Sequence, residues 1–215
     1  MKRKLVIYVA LLLLLSCGPY IWFKVPQPEN STNLDGFSAS ILGKYMSVYD
    51  SAVISIESDK IIKEYRENLI LSKTEFREEI GDTISEDTSF TFTENWNITI
   101  KSFGDSVKVY SSKDENVFQV SENQLLRYYK NYYFLNFKDS NEYWQVKVIQ
   151  LMGDTLEFDN ILTDDDLRFI KNITSIEVYT DSVNDEKEYF LKPTKRELKR
   201  ILKRRLHGEK FVKLN

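Results

Sequence analysis

Tyr128-Tyr129-Lys130-Asn131-Tyr132-Tyr133-Phe134-Leu135-Asn136-Phe137 is the most apolar stretch of what reads as the folded domain. Its tyrosines and phenylalanines are strand formers, and it predicts a central strand or a pair of them. On either side run short segments of period two, the mark of half-buried strands. In Trp96-Asn97-Ile98-Thr99-Ile100 the tryptophan and isoleucines share one face. Val107 and Val109, Phe118 and Val120, Leu156 and Phe158, and Ile176 and Val178 repeat the pattern, as do Trp144, Val146 and Val148. Turn chemistry punctuates them: Gly81-Asp82-Thr83, Gly104-Asp105-Ser106 and Gly153-Asp154-Thr155 each precede an apolar residue, with glycine supplying positive φ and Asp bonding back to the backbone. The Gly-Asp units are 23 and then 49 residues apart, too irregular for a propeller or solenoid.

Helices are few. Ser72-Lys73-Thr74-Glu75 and Thr163-Asp164-Asp165-Asp166 fit or approximate capping boxes, the second opening onto Leu167, Ile170 and Ile173. Pro193-Thr194-Lys195-Arg196-Glu197 starts the clearest helix, with Leu198, Ile201, Leu202 and Leu206 on one stripe and Gly208 at its end. The segment Ile61–Leu71 fits either state: Ile61, Tyr65 and Leu69 have helical spacing, while Leu69-Ile70-Leu71 equally ends a strand. The expectation is a mainly β fold, an antiparallel sandwich or barrel-like sheet with a C-terminal amphipathic helix at about 194–207 and one or two short helices.

The chain opens with Lys2, Arg3 and Lys4, then eleven apolar residues from Leu5 to Leu15, the proportions of an export signal. Leu14-Leu15-Ser16-Cys17 resembles the lipobox of bacterial lipoproteins. That resemblance implies that residues 1–16 are removed and that Cys17, the only cysteine in 215 residues, becomes a lipidated N-terminus, several acyl chains making a stable anchor. A membrane-spanning helix is the competing reading, because Leu5–Phe23 is nineteen residues without charge. Gly18-Pro19 in its middle and the position of Cys17 argue against it. Residues 17–37, with Pro19, Pro26 and Pro28, read as the lipidated cysteine and a flexible tether, and 38–215 as a single domain. The mature 199 residues suffice for one sizeable core.

Charge is unevenly placed. From Lys192 onward ten Lys or Arg stand against two acids, whereas the rest of the mature chain has 17 basic and 31 acidic residues. Lys199, Arg200, Lys203, Arg204 and Arg205 form a surface suited to lipid headgroups, phosphates or an acidic partner, or a solvated face balancing acids elsewhere. Export and net acidity speak against nucleic acid. His207 is the only histidine, so neither a histidine metal cluster nor a Ser-His-Asp triad is expected. Asp164, Asp165 and Asp166 lack the spacing of a calcium loop, and no cofactor is implied. Paired carboxylates for hydrolysis stay open.

Asp50-Ser51-Ala52, Asp82-Thr83-Ile84, Asp105-Ser106-Val107, Asp154-Thr155-Leu156 and Asp181-Ser182-Val183 resemble the Asp-Ser/Thr-aliphatic acceptor of O-glycosylation in Bacteroidota. Ser51, Thr83, Ser106, Thr155 and Ser182 are then the acceptors. Each unit is also an ordinary turn before a strand. The lipobox, Leu42-Gly43-Lys44-Tyr45, Tyr49-Asp50-Ser51, Gly104-Asp105-Ser106-Val107, Lys130–Asn136 and Pro193–Leu198 together resemble a family of uncharacterised Bacteroidota lipoproteins. The resemblance implies a β-rich lipoprotein and carries no activity. Lipoproteins exported to the surface in that phylum usually bear an acidic run after the cysteine; here the first acid is Glu29, which implies the periplasmic face of the outer membrane. The expected role is a binding or structural envelope component with the membrane and an envelope protein as partners. The alternatives are a barrel for a small or lipidic ligand and an envelope hydrolase.

Overall fold

A computed structural model describes residues 20–80, 87–92, 96–162, 166–180, 187–203 and 208–214. They form fourteen strands and three helices: β1 (Tyr20–Phe23), β2 (Gly43–Ser47), β3 (Val53–Ile56), β4 (Lys60–Ser72), α1 (Lys73–Ile80), β5 (Thr88–Phe92), β6 (Trp96–Phe103), β7 (Ser106–Gln119), β8 (Gln124–Tyr129), β9 (Tyr132–Lys138), β10 (Trp144–Met152), β11 (Thr155–Asn160), α2 (Leu167–Ile170), β12 (Ile176–Thr180), β13 (Lys187–Leu191), α3 (Lys195–Leu202) and β14 (Glu209–Lys213). The fold is mainly β, one sheet ordered β12-β13-β1-β10-β11-β14-β2-β3-β4-β7-β6-β5, with β8 and β9 branching from β10. All pairs are antiparallel except β1 with β13.

The apolar stretch is the hairpin β8–β9. Lys130 and Asn131 both have positive φ, the geometry of a two-residue turn whose twist suits a hairpin. β9 pairs with β8 on one side and β10 on the other. Both faces of β9 and β10 are covered, which explains the unbroken apolar run. Tyr133, Leu135 and Ile149 enter one core with Tyr45, Ile54, Phe118, Leu126 and Phe211. Phe134, Trp144, Val146 and Val148 enter a second with Phe23, Leu191 and the helix residues Ile170, Leu198, Ile201 and Leu202.

The sheet rolls around the first core without closing into a barrel. Between β8 and the β3–β4 turn the gap is laced by residues 34–37: the Leu34 amide donates to the Leu126 carbonyl (2.8 Å) and the Phe37 amide to the Ser58 carbonyl (2.7 Å). A Cβ on Gly36 would lie 2.4 Å from that Ser58 oxygen, so the close approach requires glycine. Phe118 seals the seam inside, edge-on to Phe37 and Phe137 with ring centroids 6.2 and 5.5 Å away.

Residues 20–37 are therefore not a flexible tether. β1 is a strand of the sheet, Phe23, Gln27 and Phe37 are buried, and the prolines shape a wrapped segment held by side chains. Asn136 accepts from the Gln27 amide (2.6 Å) and donates to the Gln27 carbonyl (2.9 Å). Arg127 donates to the carbonyls of Pro26 and Pro28 and to Asn33. Period-based reading misses this because buried amides and one guanidinium fix the segment, with few apolar residues.

Ile61–Leu71 is strand. β4 and its partner β7 are 13 and 14 residues long, about 45 Å at ~3.4 Å per residue, with a register shift at Ile61/Ile62. Their body ends carry Ile61 and Phe118 into the first core. Their far ends join β6, β5 and α1 in a small third core of Phe76, Ile100 and Val107. Between the cores runs a polar stretch, Arg66 opposite Ser112 and Glu67 opposite Ser111. The result is an arm, β4–β7–β6–β5, on the body.

Helix starts follow expectation. Ser72 and Glu75 exchange bonds at α1 (3.1 and 2.9 Å), and Thr194 with Glu197 forms the capping box of α3. Asp166 precedes α2 without a side-chain capping bond; 163–165 lie outside the described residues. α3 spans Lys195–Leu202 with Lys203 as its C-cap; 204–207, the rest of the expected helix, lie outside the described residues. Gly208 serves close packing on β11: a Cβ there would lie 2.6 Å from the Phe158 carbonyl and 2.3 Å from the Asp159 Cβ.

Candidate interaction surfaces

Cys17 lies outside the described residues, three positions before Tyr20, the first residue of β1. Among the described residues no helix is long and apolar enough to cross a membrane.

Of the basic residues, Lys199, Arg200 and Lys203 are exposed on α3; Arg204 and Arg205 lie outside the described residues. Leu198, Ile201 and Leu202 pack inward, so the charged face points to solvent. Lys192 reaches Glu29 (3.6 Å) and Lys195 the Asn30 carbonyl (2.9 Å), fixing the helix start to the wrapped segment. Among the described residues Lys199, Arg200 and Lys203 face no carboxylate within ion-pair distance. Arg200 and Lys203 line a groove of about 410 Å³ with Phe169, Asn172 and Ile173.

The Asp-Ser/Thr units divide. Ser51 is exposed in a turn with φ 59°, where Asp50 accepts from the Ala52 amide (3.2 Å). A hydrogen bond from Ser47, then that amide and the charge of Lys63, hold the Asp50 carboxyl below its usual range against partial burial. Ser106 and Thr155 open β7 and β11 and are half-buried. Thr83 and Ser182 lie outside the described residues.

Two further features went unread in the sequence. One mouth of the roll carries a groove of about 640 Å³ whose lining includes Phe37, Ser38, Ser40, Tyr128, Asn131 and Tyr133. Its hydroxyls are organised: Tyr133 bonds Ser38 (2.6 Å) and Tyr128 donates to Asn131 (3.2 Å), with the two tyrosine rings 4.8 Å apart. Among the described residues no acid, lysine or arginine lines it. Near the other mouth Lys63, buried, donates to Glu209 (2.9 Å) beside the rings of Tyr65 and Phe211. Burial depresses the Lys63 ammonium, but the Glu209 bond and charge, with Tyr65, outweigh it and raise the pKa.

The second feature is the face of the arm opposite α1. Cross-strand register places Ile70, Lys108 and Lys101 in one row, Asn68, Tyr110 and Thr99 in the next, and Ser72, Ser106 and Phe103 in a third. Ile70 is 62% exposed, Phe103 71% and Tyr110 38%. Lys101 and Lys108 are directly opposite, a like-charge pairing that disfavours the isolated sheet, and Lys108 leans on the Phe103 ring at 5.4 Å. A groove of about 210 Å³ between Asn68–Ile70, Lys108 and Tyr110 indents this face. Among the described residues no carboxylate lines any of the three grooves above and no trio of metal-ligating side chains occurs.

No family model, no curated protein and no solved structure matches this chain.

Proposed function

We propose that the chain is a lipid-anchored component of the cell envelope, held by Cys17 on the periplasmic face of the outer membrane, that binds an acidic envelope protein through the outer face of its arm. The observation carrying this reading is the cluster of Ile70, Phe103 and Tyr110 around Lys101 and Lys108. Three large apolar side chains on one sheet face lose surface to water only through a partner. The facing lysines supply attraction for acidic groups and the aromatic rings supply anchors. The exposed basic residues Lys199, Arg200 and Lys203 offer a second contact of the same sign.

Cross-linked recovery of the natively lipidated protein from its own membranes tests the reading, beside Cys17→Ala and the double variant Ile70→Ser, Phe103→Ser. Both serines replace exposed side chains, so thermal stability stays within about 0.5 kcal/mol of the parent. The reading expects a co-purifying protein that disappears with the double variant. Unchanged recovery from a folded double variant would refute it.

A second reading rests on the 640 Å³ groove. Its uncharged lining of tyrosine rings, hydroxyls and an amide suits a neutral small ligand, seated at the mouth because the interior of the roll is filled by side chains.

A further inference from the structure

The 640 Å³ groove at the mouth of the roll has a floor and a rim of different chemistry. Phe37, Ile41 and Tyr133, each 8% exposed or less, form the floor, and Ser38, Ser40, Tyr128 and Asn131 stand at the rim. Every lining residue falls within 34–41, within 128–133 or at 151, inside the continuous described stretches 20–80 and 96–162.

The hydrogen bonds of the rim have a direction. The Tyr133 hydroxyl oxygen accepts from the Ser38 amide (3.2 Å) and lies 2.6 Å from the Ser38 hydroxyl, which lies 2.8 Å from that of Ser40. Were Ser38 Oγ the donor to Tyr133, the buried phenolic hydrogen would meet no acceptor among the described residues. The chain therefore runs from Tyr133 to Ser38 to Ser40 and turns the Ser40 hydrogen outward. Tyr128 donates to Asn131 Oδ1 (3.2 Å), which leaves the two Asn131 Nδ2 hydrogens and the Tyr128 oxygen open to a ligand. Asn131 itself is fixed in the β8–β9 turn with φ 66°. The rim thus presents donors and acceptors together, already ordered and without charge.

We propose that this groove binds a neutral sugar, with one ring laid against Tyr128 and its hydroxyls on Ser40 and Asn131. The inference rests on the reading of the groove as a site for a neutral small ligand, and names the class of that ligand. A sugar hydroxyl both donates and accepts, as the rim does, whereas an ion would find no charge to compensate its lost hydration. Tyr128 is 47% exposed, and Tyr133 packs on it with ring centroids 4.8 Å apart and planes at 55°. That contact leaves no slot in which a planar base or arene could be sandwiched. The rest of the Tyr128 ring is a single apolar plate with a polar tip, which suits the C–H face of a saturated ring. An acyl chain would need an enclosed apolar tunnel, and the roll below is filled by Phe37, Phe118 and Leu126. Because the rim hydroxyls are bonded to one another before a ligand arrives, binding orders few side chains.

Saturation-transfer NMR on the full chain, in a detergent without sugar groups, tests this. The probes are maltose, cellobiose, lactose and N,N′-diacetylchitobiose, with indole as a neutral probe that has no hydroxyl. The expected result is that at least one disaccharide receives saturation, strongest on the C–H protons of one ring face, and shifts the ring resonances of Tyr128 and Tyr133. Tyr128→Ala removes the plate. Asn131→Asp removes the two N–H donors and tolerates the positive φ of the turn. Each is expected to weaken the disaccharide roughly tenfold, the loss of one good contact, in protein whose thermal midpoint shows it folded. Binding of indole at the same tyrosines with no disaccharide bound would overturn the sugar assignment and leave the neutral-ligand reading standing. Binding of neither would overturn both. Disaccharide binding that both variants leave unchanged would overturn this groove as the site.

Discussion

Replacing Asn136 with leucine removes the clamp that makes residues 20–37 part of the domain. Asn136 is fully buried and touches Gln27 twice, accepting from its amide at 2.6 Å and donating to its carbonyl at 2.9 Å. The same Nδ2 also approaches the carbonyls of Leu125 (3.1 Å) and Phe134 (3.3 Å), sharing two hydrogens among three acceptors. Leucine has a similar volume, so the change opens no cavity. It leaves the Gln27 amide and carbonyl buried without these partners, each costing about 1–3 kcal/mol, together about 2–6 kcal/mol. That is a large part of the roughly 5–15 kcal/mol that holds a domain together. With a urea slope of about 2–3 kcal/mol per M the unfolding midpoint falls by about 1–2 M. Hydrogen exchange supplies the local readout: the Gln27 amide loses protection while amides of β9 and β10 keep theirs relative to global unfolding. A loss below about 1 kcal/mol with Gln27 still protected would refute the idea that this amide pair fixes the segment.

Three other outcomes follow from the same geometry. Phe118→Ala, which empties the seam of the roll where Phe118 meets Phe37 and Phe137, lowers stability by about 3–5 kcal/mol in chemical denaturation. Gly208→Ala drives a methyl group into the Phe158 carbonyl and Asp159 and costs about 1–3 kcal/mol, read as a shift in thermal midpoint. Stability falls in alkali. The Lys63 pKa is raised in the fold, and burial first, then Asp154, raises that of the Tyr45 phenol, so both contributions are present below about pH 10 and are lost as pH rises further. Lys63→Met with Tyr45→Phe flattens that decline, which urea titrations across the range measure.

What could be read in the sequence follows what is periodic. The strands around Ile98, Val107, Val146, Leu156 and Ile176 were legible because alternate residues face a core, and the two long helices because Ser72/Glu75 and Thr194/Glu197 are reciprocal caps. Of the hairpin at Tyr128–Phe137, β9 was legible as a central strand because both its faces are covered, whereas β8 pairs in the sheet with β9 alone and leaves Tyr128 exposed. Illegible were elements fixed by distant partners: β1 is held by β13 and β10, the wrapped segment by Asn136 and Arg127, more than ninety residues away, and the approach to β14 by Gly208 fitting against Asp159. Ile61–Leu71 was ambiguous because apolar residues fall on both faces of the strand: Ile61 and Leu71 reach the two cores on one alternation, whereas Ile70 lies exposed on the other face. The basic face of α3 could be read from composition. The arm face could not, since Ile70, Phe103 and Tyr110 come from three strands and meet only through register.

The most direct test of the account is photo-crosslinking from the arm. A photoreactive phenylalanine analogue replaces Phe103 in the lipidated protein within its own membranes, with the same analogue at the exposed turn residue Asn141 as control. The account predicts a discrete adduct from position 103 that is absent from 141 and is lost when Ile70→Asp is added. Identical adducts from 103 and 141, unaffected by Ile70→Asp, would contradict it.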